Sequence, residues 1–249
     1  MLWRIFKYIQ HLFCLKHRKG HGIHSPYLFE FLSRVVFNSE EVECPPMVRQ
    51  EHRALKRDHT PSGGEGRSVK SFVQHSSVSE KQGKLLHRIA DWFNPEMIVE
   101  LGTGLGISTL YLATGSPGTP LHSIEGNTER ATFAAQMVSR CALGPVSIHW
   151  GEMEEKLADI LPLMPERFLA YVDGNHHFEP TVRYVRSLME RVGEEAVIIL
   201  DDIYWSEGMY RAWKEIISWP ETRVSIDLFH MGILLLRKDL HHESFKIKF

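Results

Sequence analysis

Short apolar runs alternate with helical-period stretches along most of this chain. The runs Met97–Leu101, Val146–Trp150, Phe168–Val172 and Ala196–Leu200, and another that ends at Glu125, are nearly continuous in apolar residues. Strands buried on both faces read this way, because neither side of the sheet meets water. Between them, amphipathic stretches cover Thr128 to about Leu143, the residues after Gly151, about Glu179 to Arg191, and Gly208–Ser218. Alternation at these lengths predicts βαβ units and a parallel sheet covered by helices. The last two β-rich runs, Thr222–Leu228 and Met231–Arg237, are separated only by Phe229 and His230. So short a connection predicts an antiparallel pair, since parallel strands need a crossover. The expected fold class is α/β: a doubly wound, mostly parallel, seven-stranded sheet, Rossmann-like, that ends in an antiparallel hairpin.

Upstream of Met97 the pattern is helical. Leu2, Ile5, Phe6, Ile9, Leu12 and Phe13 recur at helical spacing, with Arg4, Lys7, Lys16, Arg18 and Lys19 among or just beyond them. Charge interrupts this stripe too often for a signal-peptide core. A basic amphipathic helix suits an anionic membrane surface, and it also suits packing on its own protein or on a second subunit. A weak membrane-surface contact and a homodimer both stay open. The string His21-Gly22-Ile23-His24-Ser25-Pro26 predicts a turn into a helix, with Ser25 as N-cap and Pro26 at the first helical position. His59–Lys70, with Pro61, Gly63, Gly64 and Gly66, reads as a flexible loop, and Ser79–Phe93 as a helix stopped by Asn94-Pro95. The organisation expected is a helical extension over residues 1–76 and an α/β domain over 77–249.

The first crossover carries the candidate chemistry. Met97–Leu101 ends at Gly102-Thr103-Gly104-Leu105-Gly106; a helical pattern follows, then the run closed by Glu125 and Gly126. Glycines at such a turn let the backbone approach a ligand with no Cβ in the way. An acid about 20 residues further on accepts ribose hydroxyls. The glycines fall as G-x-G-x-G rather than the dinucleotide spacing G-x-G-x-x-G, and Glu100 stands just before them. A carboxylate there repels a pyrophosphate and suits a ligand with an ammonium and a sulfonium, the description of S-adenosylmethionine. A nicotinamide or flavin cofactor, and a tight turn with no ligand, are the alternatives. Further contacts fall at Thr103 in the turn and at Ser108, which either reaches the methionine carboxylate or caps its helix. Gly151-Glu152-Met153 follows the third strand, where Met153 either packs on the adenine or belongs to the core.

Two more strands end in acids. Val172 is followed by Asp173-Gly174-Asn175-His176-His177, and Leu200 by Asp201-Asp202, with Tyr204, Trp205 and Trp213 beyond. Three carboxylates at neighbouring strand ends suit an octahedral oxygen-ligand cation such as Mg²⁺; helix capping and solvation are the ordinary alternatives. A neutral imidazole at His176 is apt to take the proton of a hydroxyl acceptor, although a structural role for either histidine is common.

The string Glu-Leu-Gly-Thr-Gly-x-Gly-x-Ser resembles the first motif of class I S-adenosylmethionine-dependent methyltransferases, and Ser-Ile-Glu125-Gly126 their ribose-binding motif. A parallel sheet closed by an antiparallel hairpin is also their topology. From about Ser77 to Arg237 the chain is similar to metal-dependent small-molecule O-methyltransferases of the catechol and caffeoyl-CoA type and of the macrocin sugar type. The resemblance implies Asp173, Asp201 and Asp202 as metal ligands, Asp173 also beside the cofactor, and a small-molecule acceptor. It departs at the base. The catechol type has lysine where this chain has His176, and the sugar type has an acid where this chain has Asn175. His-Gly-Ile-His-Ser-Pro and Asp-Gly-Asn-His look instead like a group of uncharacterised bacterial methyltransferase-like proteins. A catalytically inactive, cofactor-binding partner protein is therefore the alternative to an enzyme.

Composition narrows the setting. The chain has 249 residues, a formal charge of −2 and 43% hydrophobic residues, ample for a large α/β core. A near-neutral balance argues against nucleic acid as partner. Cys14, Cys44 and Cys141 are few and scattered; they form no disulfide or metal framework, so a cytoplasmic setting is the default expectation.

Overall fold

The computed structural model describes residues 2–13, 25–38, 46–62, 66–193 and 195–249. Cys14, Cys44, Lys16, Arg18, Lys19, Gly63, Gly64 and the His21–His24 part of the expected turn lie outside the described residues. In chain order the elements are α1 (Leu2–Phe13), α2 (Pro26–Phe31, continued by a π-helical turn Leu32–Val36), α3 (Pro46–Leu55), α4 (Val69–Ser76) and α5 (Glu80–Phe93). Next come β1 (Met97–Leu101), α6 (Ile107–Gly115), β2 (Leu121–Glu125), α7 (Thr128–Arg140), β3 (Val146–Trp150), α8 (Met153–Ile160) and β4 (Phe168–Val172). The chain closes with α9 (Phe178–Met189), β5 (Ala196–Asp201), α10 (Glu207–Ile216), β6 (Val224–Asp227), β7 (Met231–Leu235) and β8 (Glu243–Lys246). They form two compact units, residues 40–163 and residues 1–39 with 164–249.

In the unit spanning 40–163 the strand order is β3-β2-β1, all parallel. Ser79 caps α5 through a reciprocal capping box with Gln82, and Asn94, in the left-handed conformation at φ 47°, ends it. Every residue of α6 is buried, as expected of a helix that shows no polar face. α5 and α6 touch through small residues: a Cβ on Gly83 would stand 2.3 Å from the Tyr111 ring, and one on Gly115 2.3 Å from the His87 carbonyl oxygen. Ser68 caps α4, and Pro61 bridges to Ser68 in an antiparallel contact.

In the other unit the order is β4-β5-β7-β6-β8. β4 and β5 are parallel; β7 is antiparallel to both β5 and β6 and lies between them. The brief connection at Phe229-His230 thus produces the hairpin that the sequence pattern predicts. The seven strands expected become eight, because β8 adds in parallel to the far side of β6. Its Glu-Ser-Phe-Lys string presents only Phe245 to the core, a pattern too weak to read as a strand. Ser25 caps α2 by accepting the Leu28 amide at 3.3 Å, with Pro26 in the first turn.

The α5–α6 contact gives a direct check on packing. Gly115→Ala forces a Cβ against backbone that cannot swing aside, so it lowers unfolding stability by about 1–3 kcal/mol in urea titration. Gly208→Ala in α10, where the nearest atom is 3.6 Å away, leaves stability unchanged or raises it by up to about 1 kcal/mol.

Candidate functional site

The glycine turn owes its shape to backbone that only glycine adopts readily. Gly102, Gly104 and Gly106 have φ of 102°, 55° and 84°, which explains the alternate spacing. The amides of Gly102 and Thr103 donate to the Ile124 carbonyl at 3.0 and 3.1 Å, so the turn hangs on the end of β2. Glu125 completes the attachment. Its Oε2 accepts the Gly104 amide at 2.8 Å, while Oε1 accepts the Asn127 amide at 2.9 Å and Arg130 Nε at 3.1 Å. The Gly151 amide donates to the Glu125 carbonyl at 3.1 Å, which brings the end of β3 alongside.

Glu100, the acid that the sequence places just before the glycine turn, lies inside the unit. It is fully buried, and its Oε2 accepts hydrogen bonds from the hydroxyls of Thr109 at 2.5 Å and Ser123 at 2.6 Å. Oε1 has no hydrogen-bond partner among the described residues. Burial pushes the carboxyl up to about 7; Ser108, Ser123 and Thr109 pull it down and the charge of Glu125 adds to the rise. Ser108 is buried, Thr103 shares a hydrogen bond with Ser123, Gly126 and Glu152 are exposed, and Met153 is half-buried.

The second cluster lies at the carboxyl ends of β4 and β5. His176 Nε2 is 3.5 Å from Asp173 Oδ1, and the Tyr171 hydroxyl donates to Asp173 Oδ2 at 3.3 Å. Asn175, His176 and Asp202 all have positive φ, at 68°, 35° and 50°, a strain that ordinary loops avoid. Burial pushes Asp201 up to about 7, helped by the charge of Asp202 and opposed by hydrogen bonds with Tyr171 and Asp173. Its Oδ1 has no hydrogen-bond partner among the described residues. Burial lowers the His176 imidazole, with Asp202 opposing and His177 assisting, so the ring is neutral at pH 7. The same exclusion of water thus raises the acid and lowers the base, favouring the uncharged form of each.

Asp202 turns elsewhere. Arg4 of α1 reaches it at 3.1 Å, lies 3.4 Å from His230 Nδ1, and packs over the Trp205 ring at 5.3 Å. Asp173 and Asp201 therefore come together, whereas the third expected ligand is held by a guanidinium. Among the described residues no three His, Cys, Asp or Glu side chains stand as a metal-binding group. The unpartnered Asp201 Oδ1 is an atom in this cluster that a cation would satisfy. Tyr204 and Trp213 are buried, Tyr204 donating to Asp227 Oδ2 at 2.7 Å, and Trp205 is exposed.

Sequence reasoning missed several partners. Thr109 and Ser123 were legible in principle, because Glu100 and Ser123 stand in register on β1 and β2, each two residues before its strand-end motif. Arg130, one helical turn into α7, was legible by proximity to Glu125. No local signal points to Arg4, separated by 198 positions from Asp202.

Residues 99–203 match the methyltransferase domain family. Catechol O-methyltransferase B of Danio rerio is 27% identical over 177 residues, which is 61% of this chain and 61% of that protein. The chain thus spans about three-fifths of the length of the curated relative it matches. An O-methyltransferase from Bacillus cereus, solved in complex with S-adenosylhomocysteine, has a TM-score of 0.60 at 20% identity, covering 85% of this chain and 97% of that one. The S-adenosylhomocysteine-bound methyltransferase PaMTH1 of Podospora anserina has a TM-score of 0.64 at 16% identity, covering 87% and 97%. At these identities the solved structures share the fold. Residues 99–203 thus match a methyltransferase domain, and the fold of the chain is the one that these solved methyltransferases have.

Proposed function

We propose that this chain transfers a methyl group from S-adenosylmethionine to a hydroxyl oxygen of a small molecule, catechols being the first class to try. The observation that carries the reading is the glycine turn fastened to Glu125 through the Gly104 amide. It supports Glu125 as the ribose acceptor, with Gly102, Thr103, Gly104 and Ser108 at the methionine end and Gly126, Glu152 and Met153 toward the adenine. Glu100 serves this end from within, its buried carboxyl tying the end of β1 to the hydroxyls of Thr109 and Ser123. The O-methyltransferase names of the relative and of the Bacillus cereus structure support oxygen as the acceptor.

In the reaction the acceptor oxygen attacks the methyl carbon while the carbon–sulfur pair returns to sulfur, leaving a methyl ether and neutral S-adenosylhomocysteine. The acceptor proton must leave: a phenol of pKa near 10 is roughly 4 kcal/mol short of ionisation at pH 7. His176, kept neutral by burial, takes that proton, and Asp173 stabilises the imidazolium formed. Asp173 and Asp201 are the residues that would hold a divalent ion such as Mg²⁺, with Asp202 joining on release from Arg4. Such an ion would lower the acceptor's pKa further.

Methyl-labelled S-adenosylmethionine offered with a panel of catechols, simple phenols and sugars tests this reading. Transfer to oxygen is expected, stronger with Mg²⁺ than with EDTA. His176→Ala lowers kcat by about 10²-fold or more while S-adenosylhomocysteine binding, followed by calorimetry, is retained. Binding without transfer to any hydroxyl, with or without Mg²⁺, contradicts the enzymatic reading.

Glu100 adds a pH signature. Its carboxyl is raised by folding from 4.5 to about 7, so the protonated form is the one the fold prefers. Its contribution is complete below pH 4.5 and disappears as pH climbs to about 7. Across that window the wild type loses roughly 3 kcal/mol more stability than Glu100→Gln, measured by denaturant titration at each pH. Parallel curves for the two proteins refute the buried-acid account.

A further inference from the structure

Helix α1 is mounted with its charged face inward. Arg4, Lys7 and His11 recur on one side of the helix, and each meets its own unit. Arg4 pairs with Asp202 at 3.1 Å, Lys7 Nζ stands over the Tyr210 ring at 4.2 Å, and His11 is buried with Nδ1 3.4 Å from Asp227 Oδ1. His11 Nε2 also lies 3.3 Å from the Ile247 carbonyl, and the ring of Tyr8 packs edge-on against Phe229 at 4.9 Å. The opposite side carries the large apolar residues. Ile5, Phe6, Ile9 and Phe13 are 51%, 58%, 46% and 86% exposed, and Leu12 belongs to the same stripe. A surface helix ordinarily does the reverse, burying its apolar stripe and wetting its charges. Here an ion pair, a cation–π contact and a buried imidazole hold the helix in place while its apolar face is presented outward.

We infer that this face seats on an anionic lipid surface. Charge selects that occupant. The first 29 residues contain no Asp or Glu; of their five Lys and Arg, Arg4 and Lys7 are engaged within the unit and Lys16, Arg18 and Lys19 carry the rest of the positive charge, in a chain whose formal charge is −2. Lys16, Arg18 and Lys19 follow within six residues of the end of α1, and outward apolar side chains beside such a basic cluster are the composition that binds acidic headgroups and the acyl boundary together. A second copy of the chain fits less well. A two-fold contact through α1 sets this acid-free segment against itself, so like charges oppose its closure. Because Arg4 also holds Asp202, the membrane-facing helix is tied to the end of β5.

Vesicle flotation of the full chain is the test. The protein is expected to float with phosphatidylcholine vesicles containing roughly one-third phosphatidylserine, and to stay largely behind with pure phosphatidylcholine. Phe6→Glu combined with Ile9→Glu lowers the bound fraction at least about tenfold. Both substituted side chains are exposed, and circular dichroism checks that the fold is retained. Three results overturn the proposal: no flotation of the wild type with acidic vesicles, equal flotation of the double variant, or equal affinity for neutral vesicles. Sedimentation that shows a dimer, broken by the double variant, in a protein that ignores vesicles also overturns it, in favour of a second copy.

Discussion

The carboxylate of Glu125 holds the cofactor side of this protein together. Three donors converge on it, the amides of Gly104 and Asn127 and the guanidinium of Arg130. Two carboxylate oxygens offer about four acceptor positions, so these bonds leave Oε2 with capacity for a ribose hydroxyl. Charge-assisted bonds of this kind are roughly twice as strong as neutral ones. The one from Gly104 fastens the glycine turn to the end of β2, and the other two fasten the start of α7. Remove the carboxylate, and the turn loses its attachment to the end of β2.

Burial does the rest of the electrostatic tuning, and its sign depends on the group. Glu100 and Asp201 are both pushed up to about 7, while His176 is lowered. No single neighbour accounts for these shifts; each has exclusion of water as its largest cause. Excluding water disfavours whichever form carries charge, so acids rise and an imidazole falls. Arg4 supplies the counter-charge to Asp202 at 3.1 Å. One arginine therefore connects the chemistry of the β5 end to the placement of the N-terminal helix.

Much of the fold was legible because its causes are local. Buried strands write apolar runs, and the two-residue gap at Phe229-His230 admits only a hairpin. The glycine spacing follows from three positive φ angles in one turn. β8 escaped because an edge strand with a single buried side chain leaves almost no periodic trace. At the candidate site the residue types were legible and their partners were not. Glu100 reads in sequence as an acid offered to a ligand, yet registry with Ser123 and the hydroxyl of Thr109 enclose one of its oxygens. The orientation of α1 was illegible for a similar reason. Periodicity reveals that a helix has two faces, but tertiary contacts such as Arg4 with Asp202 decide which face is bound.

The most direct measurement follows backbone amides of ¹⁵N-glycine-labelled protein as S-adenosylhomocysteine is added. Gly102, Gly104, Gly126 and Gly151 stand at the carboxyl ends of β1, β2 and β3, whereas Gly118 and Gly144 precede β2 and β3 at their amino ends. The account predicts saturable shifts at the first four, with Gly104 among them, and none at the latter two. Unmoved resonances at saturating ligand, or shifts confined to Gly118 and Gly144, would contradict it.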